Sequence, residues 1–335
     1  MFLCIIIVCT LSVMAYERAT DKTADGESDQ FIVVTSFYPM YIAALNITDG
    51  VDGVKLENLS EPQTGCLHDF QLTPEDMKLL STADMFIING GGIETFMSDV
   101  AAAYPKLDVV EACANVSLLA EDDVDSEETD EHDHDHDADS EDADGHDHDH
   151  DADSEETDGH NHDHGYENAH AWMSVSRYRT MVSTIAEELA KADPTHADLY
   201  DANAKEYDGK LAKLEEEQQS LKELTAGKDI IIFHEAYAYV ADDLGMNVCY
   251  LMDLDEERSV SAGEVRDVIN AINNDGVSVI LAEELYGKDM GDTVLRETDV
   301  NVVYIDPLNR GDYDKDSYIN GMEKNIELIK NAFSR

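Results

Sequence analysis

Histidine alternates with aspartate along residues 121–164, EDDVDSEETDEHDHDHDADSEDADGHDHDHDADSEETDGHNHDH, a stretch with unusual capacity for metal chemistry. Nine of the 13 histidines lie there: His132, His134, His136, His146, His148, His150, His160, His162 and His164. The stretch has no Lys or Arg, and its one large apolar residue is Val124. It is internally repeated: HDHDHDADSE occurs at 132–141 and 146–155, and DSEETD at 125–130 and 153–158. Imidazole nitrogens and carboxylate oxygens together ligate divalent transition metals. Acid alone would serve a solvated spacer or a loose calcium sponge, because calcium takes oxygen donors. Histidine at every second position points to a transition metal instead. The composition cannot build a packed core, so 121–165 is expected to be a disordered surface loop that collects metal.

A second set of donors is dispersed. His68 follows a short strand, His170 opens the helix after the acidic stretch, and His234 comes directly after the apolar run DIIIF. Asp306 follows VNVVYI in the same manner. A lone histidine is more often a packing or surface residue than a ligand. Four donors at equivalent strand-end positions make a shared cation site the stronger reading. Cys66, two residues from His68, is a further candidate sulfur donor. His196 sits in the first turn of a helix and reads as a surface or capping residue.

The elements that must position these donors alternate strand and helix. FIVVTS at 31–36, residues 53–59, DMFIIN at 84–89 and residues 107–110 read as four strands. Helices between them are expected near 40–48, after Thr73-Pro74-Glu75-Asp76, and near 93–103. A second series places strands at 229–233, 247–251, 277–282 and 300–305, with helices near 236–244, 262–273, 289–297 and 315–333. Residues 194–225, with no Pro beyond Pro194 and one internal Gly, read as one long amphipathic helix. The expected fold class is α/β: two doubly wound parallel-sheet lobes, 31–193 and 226–335, joined by a single long backbone helix over 194–225. Ligands of such sheets bind at the carboxyl ends of the strands, so the metal site belongs in the cleft between the lobes.

Net charge is −53, and without the stretch's 23 acids the rest would still carry −30. That excludes nucleic acid and anionic membrane surfaces as partners and suits a protein that attracts cations. MFLCIIIVCTLSVMA at 1–15 has the small-residue ending of a signal peptide but lacks a charged n-region. It is too short to span a bilayer. Residues 16–30 read as a polar tether, and Val8 before Cys9 fits a lipidation site poorly. An exported chain keeps Cys66, Cys113 and Cys249, of which Cys66 and Cys113 are the candidate disulfide. Gly90-Gly91-Gly92 lacks both the dinucleotide and the P-loop spacing. His234-Glu235 begins like a metalloprotease motif, but Ala238 stands where its second histidine would be, so no catalysis is expected.

HDFQLTPEDM at 68–77, NAHAWMSV at 168–175, FHEAYAYVADDLGM at 233–246 and YIDPLNRG at 304–311 resemble, in order and separation, the four metal-site segments of the zinc and manganese solute-binding proteins of bacterial ABC transporters. The insert before the second histidine is similar to that of the zinc-uptake, ZnuA-type branch. The resemblance covers 31–335. It implies two lobes on one rigid helix, with His68, His170 and His234 as imidazole ligands and Asp306 or water in the fourth position. It also implies a monomer in the periplasm or at the outer face of the cytoplasmic membrane that hands its ion to an ABC transporter permease with its cytoplasmic ATPase. The manganese branch places a carboxylate where His234 stands. Three imidazoles therefore favour Zn2+ over Mn2+, which prefers oxygen. A Mn2+ or Fe2+ receptor of the same family, and a storage or adhesion protein acting through the loop alone, are the alternatives.

Overall fold

The computed structural model describes residues 30–60, 67–68, 70–120, 167–254 and 258–334. Strands β1 (Phe31–Thr35), β2 (Val54–Asn58), β3 (Met85–Ile88) and β4 (Asp108–Glu111) form a parallel sheet in the order β2-β1-β3-β4. A two-stranded antiparallel ribbon follows, β5 (Leu119–Ala120) with β6 (Glu167–Asn168). In the second lobe β7 (Asp229–Ile232), β8 (Asn247–Leu251), β9 (Val279–Ala282) and β10 (Asn301–Tyr304) form another parallel sheet, ordered β10-β9-β7-β8. Counted from its own first strand, each lobe has the same order. MFII and VILA are buried along their whole length, as strands covered by helices on both faces must be.

Helices cover the sheets. In the first lobe these are α1 (Tyr38–Ile47), α2 (Pro74–Leu80) and α3 (Met97–Ala103), followed by α4 (Val175–Ala192). Thr73 caps α2 reciprocally with Asp76, which is why Thr-Pro-Glu-Asp starts a helix here. The second lobe carries α7 (Tyr237–Leu244), α8 (Ala262–Asp275), α9 (Glu284–Glu297) and α10 (Ser317–Phe333). Helix α9 starts at Glu284, ahead of the expected 289. The extra first turn contains Gly287; a Cβ at Gly287 would lie 3.1 Å from Ala282 Cβ, and one at Gly291 3.1 Å from Val302 Cγ1. These glycines let the helix lie close on its sheet.

The linking helix is shorter than expected. Helix α5 runs Ala197–Ser220, about 36 Å long, and a separate turn α6 (Lys222–Thr225) follows Leu221. At its start Asp193 takes the His196 ring (2.6 Å) and the Tyr200 hydroxyl (2.9 Å), fixing the turn that contains Pro194. At its end the Thr225 hydroxyl serves Leu221 O (3.0 Å) and Leu244 O (2.9 Å), tying the last turn to the second lobe.

One apolar core is continuous through both lobes, from Val33 and Phe86 through Trp172, Tyr178 and Tyr318 to Ile230 and Leu281. A second cluster around Phe233, Ile280 and Val294 packs the other face of the second sheet. A buried polar bond crosses the seam, Trp172 Nε1 donating to Pro307 O (2.8 Å), and within the second lobe Tyr237 OH donates to Ile305 O (2.9 Å). Tyr178 and Tyr318 stack at 3.9 Å, and Tyr318 OH donates to Trp172 O (2.7 Å). The chain after β10 returns to the first lobe, where Tyr313 OH donates to Ser60 O (2.7 Å) and Lys315 pairs with Asp49. A shared core with satisfied polar groups opposes wide opening of the lobes.

Among the described residues no helix is long and apolar enough to cross a membrane. The expected signal peptide, the expected tether up to residue 29, the histidine-rich segment and Cys66 lie outside the described residues. Cys113, its expected disulfide partner, is buried, and burial with nearby Glu94 and Glu111 pushes its thiol up to about 12.

Glu94 is the buried acid of the first lobe. Its carboxylate accepts from Ser36 Oγ (2.7 Å), Asn89 N (2.7 Å) and Gly90 N (3.0 Å). Burial outweighs these bonds and pushes the group from 4.5 up to about 7. The folded chain therefore holds this proton more tightly than the unfolded chain. The group's contribution is complete below about 4.5 and is lost as pH rises through 7, a swing of roughly 3 kcal/mol. Urea unfolding across that range should show the wild-type chain losing about this much relative to Glu94→Gln.

Candidate metal centre

Each candidate imidazole is placed by a strand end or the turn after it. His234 is two residues beyond β7, where Phe233 N still bonds Leu281 O (2.9 Å) and extends the sheet. Its carbonyl accepts Tyr237 N (3.1 Å), and its Nδ1 accepts Ala236 N (3.3 Å). His170 follows β6 and leads a 3-10 turn, Ala171–Met173, before Ser174 caps α4. His68 lies beyond β2 in a turn where Phe70 N bonds Leu67 O (3.3 Å). Gly91 (φ 67°) passes close behind this region; a Cβ there would be 3.3 Å from Ala169 Cα, so the middle glycine serves close backbone approach.

The structure stacks the three imidazoles with His170 in the middle, and His234 packs on His170 but lies outside the set of ligand atoms that converge. Ring centroids are 5.1 Å apart for His68 and His170, and 4.9 Å apart for His170 and His234. Trp172 packs on His170 at 5.0 Å and Tyr237 on His234 at 5.7 Å. His170 and His234 are buried at 3% and 4% exposure, while the His68 side chain keeps 34%, so entry from solvent is on the His68 side. Burial, then His170 and His68, hold His234 well below its ordinary 6.5. A neutral imidazole is the form that binds metal.

Glu235 supplies a carboxylate to the cluster. Its Oε1 lies 3.4 Å from His68 Nε2 and 3.2 Å from His170 Nδ1. Burial would raise this acid, but its contacts with His170 and His68 hold it well below the usual carboxylate range. The 3.4 Å to His68 Nε2 is long for a hydrogen bond. It is close to the edge, about 3.3 Å, that separates two donors on a tetrahedral zinc. Among the described residues, His68, His170 and Glu235 each offer a ligand atom within 4.8 Å of the others.

Asp306 is two residues beyond β10 but outside that group. Its backbone is pinned on both sides: Asp306 N donates to Asn325 Oδ1 (2.8 Å), and Asn325 Nδ2 donates to Asp306 O (2.7 Å). Its carboxylate accepts Leu308 N (2.9 Å), holding Leu308 in the left-handed region at φ 54°. The residue itself is exposed. Sequence reasoning placed the three histidines and missed Glu235, weighing it only as half of a protease motif. Its signal was available: it adjoins His234 at the same strand end. The nine histidines of 121–164 and Cys66 lie outside the described residues.

A family model, ZnuA, "Zinc-uptake complex component A periplasmic", matches residues 33–332. The chain belongs to the ZnuA family. It is 27% identical over 333 residues to the high-affinity zinc uptake system protein ZnuA of Bacillus subtilis, covering 98% of this chain and 96% of that protein. It is 30% identical over 310 residues to the zinc-binding protein AdcA of Streptococcus pyogenes, covering 89% of this chain and 55% of AdcA; the chain thus spans about half of that longer relative. Its fold matches the solute-binding protein FpvC of Pseudomonas aeruginosa, solved with Ni2+, at a TM-score of 0.71, with 23% identity and coverage of 91% of this chain and 97% of the other. The chain is thus a ZnuA-type metal solute-binding protein. Its two lobes and single long helix agree with the sequence expectation.

Replacing Glu235 by Gln removes the charge beside the imidazoles and keeps the size. Zinc affinity is expected to fall at least about tenfold. Asp306→Asn should fall less; competition with a chromophoric chelator compares the two.

Proposed function

We propose that this chain captures Zn2+ outside the cytoplasmic membrane and delivers it to the permease of an ABC importer driven by a cytoplasmic ATPase. The observation that carries this reading is the packing of three imidazoles, His68 on His170 and His170 on His234, beside the Glu235 carboxylate. Nitrogen-rich donor sets suit zinc better than manganese or iron. The carboxylate is the observation on the other side, since an oxygen donor also suits Mn2+ or Fe2+; parallel titrations with the three ions separate the readings. Asp306 or water remains the proposal for a fourth position if Glu235 acts from beside the ion.

In this reading residues 1–15 direct export and 16–30 tether the folded part, 31–193 and 226–335 form the lobes, and 194–225 links them. The protein acts as a monomer and performs no catalysis. The segment 121–165 is an auxiliary, weaker collector or sensor of zinc. The acidic surface raises the local cation concentration, an effect that salt screens. Capture needs little motion, since the lobes share one core.

Deleting 121–164 tests this division of labour. One tight zinc per chain should survive the deletion and be lost when His68→Ala is added. Loss of the tight site on deletion alone would place the function in the segment and not in the cleft.

A further inference from the structure

Asn168 is the last residue of β6 and is 2% exposed. Both ends of its amide are engaged. Nδ2 donates to the Glu235 carbonyl (2.9 Å), and Oδ1 accepts the His170 backbone N–H (3.0 Å). A carbonyl can only accept and a backbone N–H can only donate, so these partners fix which end of the amide is which. The same Oδ1 lies 3.0 Å from His170 Nδ1. That ring nitrogen faces Asn168 Oδ1 and, at 3.2 Å, Glu235 Oε1. In a neutral ring between two acceptors, Nδ1 carries the proton and Nε2 keeps its lone pair.

The main chain of the same residue is tied across the seam. Tyr239 of α7 donates its hydroxyl to Asn168 O (2.5 Å) and accepts Leu119 N (3.1 Å), joining both strands of the ribbon. Leu119 and Asn168 are register partners. The Arg177 guanidinium lies 4.9 Å from the centre of the Tyr239 ring, and its Nε donates to Ser117 O (3.1 Å). A ribbon of two residues per strand is not stable alone, so these cross-lobe bonds hold it in place.

We propose that Asn168 is the positioning residue of the metal centre: its amide presents His170 to the ion through Nε2, and Tyr239 locks that amide to the second lobe. The proposal rests on the reading of His170 as a ligand. Metal-bound histidines generally give their other N–H to an oxygen that sets ring orientation, and removing that oxygen weakens binding about 10- to 100-fold. Here one side chain orients the ring, anchors the main chain that carries it, and reaches the main chain of Glu235. A misplaced Asn168 therefore disturbs His170 and Glu235 together.

The full-length chain tests this without any substitution. Long-range 15N–1H correlation on the imidazoles of the metal-free protein should show His170 protonated at Nδ1; protonation at Nε2 would overturn the proposal. Variants give a second readout, with Zn2+ affinity from chelator competition and the visible spectrum of the Co2+-loaded protein. Asn168→Ala should lose about 10- to 100-fold in affinity with an altered Co2+ spectrum. Asn168→Asp, which keeps an oxygen on Nδ1, should recover most of both, and Tyr239→Phe should fall between. His170→Ala should abolish the tight site. If His170→Ala abolishes it while Asn168→Ala stays within about twofold of wild type, the positioning role is wrong and the ligand reading stands. If His170→Ala leaves tight binding intact, the ligand reading itself fails.

Discussion

Three imidazoles stack in sequence at the seam of two sheets, His170 between His68 and His234, and the innermost, His234, is held uncharged. Protonating His234 would bury a cation against His170 and His68, and its pKa is driven down accordingly. The lone pairs so preserved have one strong use, which is to hold a cation that replaces the missing protons. Glu235 completes the balance. Its carboxylate is held ionised beside His68 and His170. A divalent ion satisfies donors that solvent cannot fully reach.

The rest of the molecule keeps those donors in register. The three histidines come from three different segments, and the core that joins the segments is continuous across the lobes. Trp172 shows the economy of the arrangement: it packs on His170, donates to Pro307 O beside Asp306, and accepts Tyr318 OH on its own carbonyl. A site built on such bonds is preorganised, so binding energy is not consumed in closing a wide hinge. The signal that the ion is present must then be a small local rearrangement. The 308–316 segment, exposed from residue 312 onward, begins beside Asp306 and ends strapped to the first lobe, along one route for such a rearrangement.

Much of this was legible in the sequence because parallel strands buried on both faces leave short apolar runs. MFII, DIII and VILA could be little else. The three histidines were legible because strand ends are where such sheets bind ligands. What escaped was set by contact and not by pattern. The two-residue ribbon has no periodicity to read, yet it carries Asn168. Glu235 has a role only because a turn aims it back at His68 and His170. The first turn of helix α9 carries Gly287, a weak helix former whose place is set by close packing on Ala282. The break at Leu221 follows from a tertiary bond to Leu244 O, invisible from residue 225 alone.

The central claim is that the tight metal site is the cleft and not the histidine-rich segment. Hydrogen–deuterium exchange of the full-length chain, without metal and with one equivalent of Zn2+, tests it directly. The account predicts slowed exchange in the peptides that carry residues 67–70, 168–174 and 233–237, with little change elsewhere in the lobes. Protection confined to 121–166, with the cleft peptides unaltered, would contradict it.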